Sequence, residues 1–208
     1  MTKDQMAKYH KYVFDEKNRR FVGKFEEMYR AERQEGFDSW HQEDRRSLKN
    51  QICLAILNQY NFHGILDVGC GKGAFTHLLK KANNQVHGID ISKTAVNIAQ
   101  ARYPDIDFSS VDLAGAAYQD LPFFQRSYDV IIFMEILSYL PNWQEVLQFF
   151  TGISQYILVS LFVPESPVGF VKSREDLLAA VQKHFRVLED VHLVTRGQSV
   201  LFGKSLKS

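Results

Sequence analysis

From residue 64 onward the chain alternates short apolar runs with amphipathic ones. The runs at 65–68, 85–90, 106–110, 129–134 and 156–162 have the length and texture of buried strands. Between them, 74–81 and 92–102 space their apolar residues three and four apart, as helices do. Ser92 is placed to cap the second of these, which must stop before Pro104. Pro141 fits the first turn of a helix running to 150. Ser173 followed by Asp176 opens another, to about 184. The run DVIIFM at 129–134 is nearly all apolar, the pattern of a strand covered on both faces. Segments 186–194 and 199–203, joined around Arg196 and Gly197, read as a closing hairpin. The expected architecture is therefore α/β and doubly wound: a mostly parallel seven-stranded sheet with helices on both faces, and an antiparallel C-terminal hairpin strand at one edge.

The first sixty residues have a different texture. Phe14, Phe21, Phe25, Met28 and Tyr29 recur at spacings of three, four and seven with charges between them, a helical pattern that Gly36 interrupts. A second helix is expected over 43–60, with Leu48, Ile52, Ala55 and Ile56 on one face. The chain divides on this reading into a helical cap or lid, 1–60, and an α/β domain, 61–208. No repeat or low-complexity linker separates them.

Composition narrows the function classes. The 208 residues are 45% hydrophobic and 24% charged, with a net charge of +1, an ordinary globular balance. No long basic run is present, which argues against a grip on nucleic acid through many phosphates. No stretch has the apolar length of a membrane span, and the N-terminal residues carry no signal-peptide pattern, so a cytoplasmic setting is expected. Cys53 and Cys70 form neither a disulfide framework nor a metal motif, and no metal site is expected.

The chemistry concentrates where strands end. In ILDVGCGKGAFT (65–76) a strand closes on Asp67 and is followed by Gly69, Gly71 and Gly73. Glycines there admit positive φ and let a ligand approach the backbone. Gly69-x-Gly71-x-x-Ala74 formally satisfies the loose dinucleotide fingerprint. Asp67 weighs against a pyrophosphate, which a neighbouring carboxylate would repel. A ligand with a cationic centre tolerates it. Asp90 closes the next strand about twenty residues on, where an acid can accept both ribose hydroxyls. Asp112 follows the third strand and Glu135 the fourth.

Asp67-Val68-Gly69-Cys70-Gly71-Lys72-Gly73 resembles the D-x-G-x-G-x-G signature of class I S-adenosylmethionine-dependent methyltransferases, and YDVIIFMEILSYL (128–140) resembles the fourth-strand motif of their small-molecule members. The resemblance covers roughly 64–162 and hardly touches the first sixty residues. It implies a Rossmann-like domain with S-adenosyl-L-methionine as cofactor. The residues it implies for holding that cofactor are Asp67, Gly69, Cys70, Gly71, Gly73, Asp90, Ile91 and Met134. Asp112 would accept from the adenine amine and Leu113 would offer its N–H. Trp40, with Arg45 and Arg46 nearby, would cover the cofactor or meet its carboxylate.

Methyl transfer asks for alignment and exclusion of water more than for a fixed triad. Near the reacting methyl the resemblance places Glu135, as base or partner of a cationic acceptor, then Ser138 and Tyr139; Tyr139 and Phe162 would line the pocket. The Asn/Asp-Pro-Pro-aromatic motif of enzymes that methylate base amines or glutamine is replaced by Phe133-Met134-Glu135-Ile136. The expected partner is therefore a small-molecule acceptor methylated on oxygen or nitrogen. The alternatives are a methyltransferase acting on RNA or protein, or a non-catalytic S-adenosylmethionine-binding module.

Overall fold

The computed structural model describes residues 3–15, 17–44 and 46–207. Seven strands form one sheet: β3 (Gly64–Val68), β4 (Gln85–Asp90), β5 (Asp107–Ser110), β6 (Tyr128–Met134), β7 (Ser154–Phe162), β8 (Phe185–Leu193) and β9 (Gln198–Ser205). Their order is β5-β4-β3-β6-β7-β9-β8. The first five are parallel to one another, and β9 is antiparallel to both β7 and β8. Strand order reverses between β3 and β6, so their carboxyl ends flank the crevice at the switch point.

Burial explains the central strands. Val130, Ile131, Ile132 and Phe133 of β6 are fully buried, and the strand is covered by an apolar cluster on each face. The helices α6 (Trp143–Phe150) and α7 (Arg174–Gln182) supply one cover and α3 (Leu48–Leu57) and α4 (Ala74–Leu79) the other, while α5 (Lys93–Arg102) packs beside β4 and β5. Ser92 and Ser173 cap α5 and α7, accepting from the N–H groups of Ala95 and Asp176. Pro141 does not enter the first turn of α6; that helix begins at Trp143, with Asn142 at its cap.

Three further expectations need correction. The hairpin does not leave its antiparallel strand at the edge: β9 is inserted between β7 and β8, and β8 is the edge. The burial of each strand fits this, since β9 is buried almost throughout while most of β8 is partly or fully exposed. The first helical stripe also breaks. Instead of one helix the chain forms α1 (Lys3–Val13), a small hairpin of β1 (Phe14–Asp15) with β2 (Arg20–Phe21), and then α2 (Phe25–Glu35). The Asp15 carboxylate accepts from Asn18 N–H at 3.1 Å and Asn18 Nδ2 at 2.8 Å, closing a turn that stops the helix. Gly36 ends α2 in the left-handed region, φ 72°, with its N–H on Glu32 O. The second helix is shorter than expected: it begins at Leu48, and Glu43 and Arg46 before it lie in turns.

Candidate active site

The glycine loop is held by its own backbone. Gly69 and Cys70 N–H both donate to Ile89 O, at 2.8 and 2.9 Å, and Gly73 N–H to Cys70 O at 3.0 Å. Gly71 N–H donates to Asp90 Oδ2 at 2.9 Å, and Lys72 N–H to Gln42 Oε1 at 2.8 Å. All three glycines have positive φ. A Cβ at Gly69 would meet Ile136, one at Gly73 would meet Phe108, and one at Gly71 would run into the Gln42 amide. A pyrophosphate loop needs free N–H donors; here the five from Gly69 to Gly73 are engaged.

Beside the loop lies a cavity of about 1010 Å³. Trp40, Asp67, Gly69, Cys70, Asp90, Ile91, Asp112, Leu113, Met134, Glu135 and Tyr139 all line it. Gly71 and Gly73 are not among its lining residues: one lies under Gln42 and the other packs on Phe108. Phe162 is 50% exposed and outside the cavity. Ser138 does not line it either; its carbonyl accepts Phe170 N–H at 2.7 Å. Arg46 lines the cavity, while Arg45 lies outside the described residues.

The acids at the strand ends differ in environment. Burial pushes the Asp90 carboxyl up to about 6, against the pull of hydrogen bonds from the Ser92 and Gly71 N–H groups. Each Asp90 oxygen takes one of those bonds and keeps a further lone pair. Asp67 is 1% exposed. Thr76 Oγ1 donates to its Oδ2 at 2.6 Å, while Oδ1 is buried with no partner. Burial pushes this carboxyl up to about 7. Asp112 is exposed and accepts Ala114 N–H at 2.9 Å, and Leu113 O accepts Asn142 Nδ2 at 2.9 Å.

Glu135 sits at φ 61°, strained for a residue with a side chain. Its oxygens accept from Gln198 Nε2 at 2.7 Å, Phe162 N–H at 2.8 Å and Ser160 Oγ at 3.2 Å, and pair with Lys49 Nζ at 3.3 Å. Four non-glycine residues have positive φ among those described, and three of them, Trp40, His41 and Glu135, line the cavity. Backbone strain thus gathers where a ligand would sit.

Phe21, Phe25, Tyr29, Trp40 and Gln42 of the N-terminal segment also line the cavity. Lys72, from the glycine loop, is buried between Glu32 at 2.5 Å and Asp38 at 2.7 Å. Gln42 Nε2 donates to Tyr29 Oη at 2.8 Å while its oxygen holds Lys72 N–H. Glu26 accepts from Ser92 Oγ, Thr94 N–H and Thr94 Oγ1 at the start of α5. Burial works against the Glu26 charge, yet these bonds bring its carboxyl down to about 2. Phe14, Phe21, Phe25 and Trp40 surround Tyr139, with Phe21 stacked on it at 5.8 Å and 12°. Desolvation holds the Tyr139 hydroxyl well above its ordinary value. Sequence reasoning missed Gln42, Lys49, Phe170, Arg196 and Gln198, all on the cavity wall. Only the turn around Arg196 carried a signal, as the tip of the hairpin.

An adenosyl group with a cationic arm fits this donor set: Asp90, half-buried and with spare lone pairs, an unpartnered acceptor atom in Asp67, and glycine-loop N–H groups already engaged. A seven-stranded sheet with a glycine loop at its switch point and acids on successive strand ends defines an S-adenosylmethionine-binding Rossmann-like domain. Residues 65–155 match the methyltransferase domain family model, a match that supports a class I S-adenosylmethionine-dependent methyltransferase.

A curated relative, ubiquinone biosynthesis O-methyltransferase of Hydrogenovibrio crunogenus (strain DSM 25203 / XCL-2), is 32% identical over 78 residues. The match takes in 38% of this chain and 32% of the relative, so the alignment spans about a third of each. Among solved structures, the N-methyltransferase NodS of Bradyrhizobium japonicum WM9 with S-adenosyl-l-homocysteine superposes with TM-score 0.68 at 16% identity, over 86% of this chain and 98% of NodS. The [4+2]-cyclase SpnF superposes with TM-score 0.62 at 16% identity, over 75% of this chain and 79% of SpnF. No helix among the described residues is long and apolar enough to cross a membrane, and no group of three or more His, Cys, Asp or Glu among them could hold a metal ion.

Proposed function

We propose that the protein transfers a methyl group from S-adenosyl-L-methionine to an oxygen or nitrogen of a small-molecule acceptor. The observation that carries this reading is the continuity of the cavity. It runs from Asp67, Asp90 and Asp112 past Met134 into a lobe walled by Phe21, Phe25, Tyr139 and Phe170. A second ligand can therefore lie against the first in one water-poor space. The cofactor supplies an electrophilic methyl on a cationic sulfur, which leaves readily in an in-line displacement.

The chain's residues have the following parts. Asp90 accepts the ribose hydroxyls, and Asp112 and Leu113 meet the adenine edge. The Asp67 carboxylate and the faces of Trp40 and Tyr139 favour the cationic arm. Residues 1–60 form the lid over the α/β domain, 61–208, and the aromatic side chains of that lid exclude water. Glu135, fixed by four donors, holds Lys49 and the floor beside the acceptor. The O-methyltransferase relative and the N-methyltransferase neighbour support both acceptor atoms. A concave site walled by aromatic side chains favours a small molecule over RNA or protein.

Calorimetry with S-adenosylhomocysteine and NAD tests the cofactor. Tight binding of the first and none of the second is expected; the reverse ends the reading. Asp90→Ala should weaken S-adenosylhomocysteine at least tenfold, the size of a lost charge-assisted hydrogen bond. Unchanged affinity would remove Asp90 from the ribose. Labelled methyl transfer into metabolite fractions separates an enzyme from a binding module.

A further inference from the structure

Charges around the acceptor lobe are unevenly compensated. Glu135 is paired with Lys49 at 3.3 Å. Asp67 and Asp90 belong to the glycine loop and the cofactor half. Arg46 lines the cavity from the N-terminal segment and is assigned, in the methyltransferase reading, to the cofactor's own carboxylate. One guanidinium is left among the lining residues, from the C-terminal hairpin. Arg196 lines the cavity from the tip of the β8–β9 hairpin and, among the described residues, has neither an ion pair nor a side-chain hydrogen bond.

The turn that presents Arg196 is fixed. Gly197 adopts φ 61°, and a Cβ there would lie 2.9 Å from Val163 O. Gly197 O accepts Val163 N–H at 2.9 Å, which ties the turn to the end of β7. The following residue, Gln198, is buried and donates to both Glu135 Oε1 and Ser160 Oγ. The hairpin tip is thereby anchored into the site next to Glu135, so the arginine is offered to the cavity from a rigid base rather than from a free loop.

We propose that Arg196 sets acceptor specificity by binding an anionic group, so that the acceptor is an aromatic or conjugated small molecule bearing a carboxylate. This rests on the methyltransferase reading. A planar guanidinium fork matches a carboxylate in bidentate fashion and is weakly enough hydrated to do so at a cavity mouth. The aromatic faces of Phe21, Phe25, Tyr139 and Phe170 suit the planar body of the same molecule. Its methylated oxygen or nitrogen then lies at the end away from the carboxylate, toward Met134 and the cofactor half.

Protein saturated with S-adenosylhomocysteine is titrated calorimetrically with benzoate, cinnamate and naphthoate, and with the corresponding amides. The carboxylates are expected to bind roughly fivefold to tenfold tighter than the amides, the size of a charge-assisted pair at a partly exposed site. Arg196→Gln should erase that preference while leaving S-adenosylhomocysteine affinity and the melting temperature unchanged. Arg46→Gln should retain the preference. Equal binding of acids and amides, binding of neither series, a preference that survives in Arg196→Gln, or one lost in Arg46→Gln would each overturn the proposal. Failure of the native protein to bind S-adenosylhomocysteine would instead overturn the methyltransferase reading.

Discussion

Asp67 carries a cost in the free protein. It is almost fully buried, one oxygen has a single hydroxyl donor and the other has none. Its folded pKa, about 7, lies above the ordinary 3.8. The folded state therefore holds this proton more tightly than the unfolded chain. The stability Asp67 contributes is fully present below the unfolded value and is lost as pH rises through about 7. Asp67→Asn keeps the Thr76 contact and removes the titration. We expect it to stabilise the ligand-free protein at about pH 8 by up to ~4 kcal/mol, with the gain shrinking toward pH 4, while weakening S-adenosylhomocysteine. Urea melts of both proteins across that range provide the check. Equal stability at alkaline pH would mean that Asp67 is not an uncompensated charge. The acids at positions 67, 90 and 112 were legible because a carboxylate at the end of a buried strand is a local signal. The setting of Glu135 was not, because its donors come from positions 49, 160, 162 and 198, which only the fold brings together.

At the scale of elements, the sheet was readable and the cap was not. Buried parallel strands announce themselves as apolar runs, and Ser92 and Ser173 marked their helices. The spacing of seven between Phe14 and Phe21 is compatible with a helix, but those residues face each other across β1 and β2. The competing signal was the Asp15–Asn18 turn, which outweighs periodicity in so short a segment. How the cap joins the domain depends on Lys72, a polar position in the glycine motif whose partners lie 40 and 34 residues earlier, at Glu32 and Asp38. Removing one member of a buried ion cluster leaves the others unpaired. Lys72→Met should therefore destabilise the fold by about 3 kcal/mol. Glu32 also accepts Ser39 N–H at 3.0 Å and cannot follow the lost ammonium elsewhere. A loss under about 1 kcal/mol in denaturant titration would assign the cluster to solvent-screened pairs rather than to a latch.

For the whole molecule the question is how a ligand reaches a cavity walled in part by its own N-terminal segment. The fold alone does not fix the chemistry, since a cyclase and an N-methyltransferase both superpose on it. What distinguishes this chain is the coupling of cap to loop. Gln42, Lys72 and Glu26 tie α2 and the turn Ser39–His41 to the glycine loop and α5, and an aromatic cluster packs around Tyr139 on the same wall of the cavity. A ligand that touches both cap and loop stabilises their contact, so protection should spread into the cap. At a concentration one hundred times its dissociation constant, S-adenosylhomocysteine should add about 2.7 kcal/mol to global stability. In hydrogen exchange the largest slowing should fall in 25–44, a segment expected to open without disrupting the sheet because side-chain bonds tie it to the domain. The amides of β6, buried on both faces, should change only as global stability changes. If slowing is confined to the ends of β3 and β4 and 25–44 exchanges as before, then the cap is a fixed cover, the cofactor enters without moving it, and acceptor access must be sought at the hairpin side by Arg196.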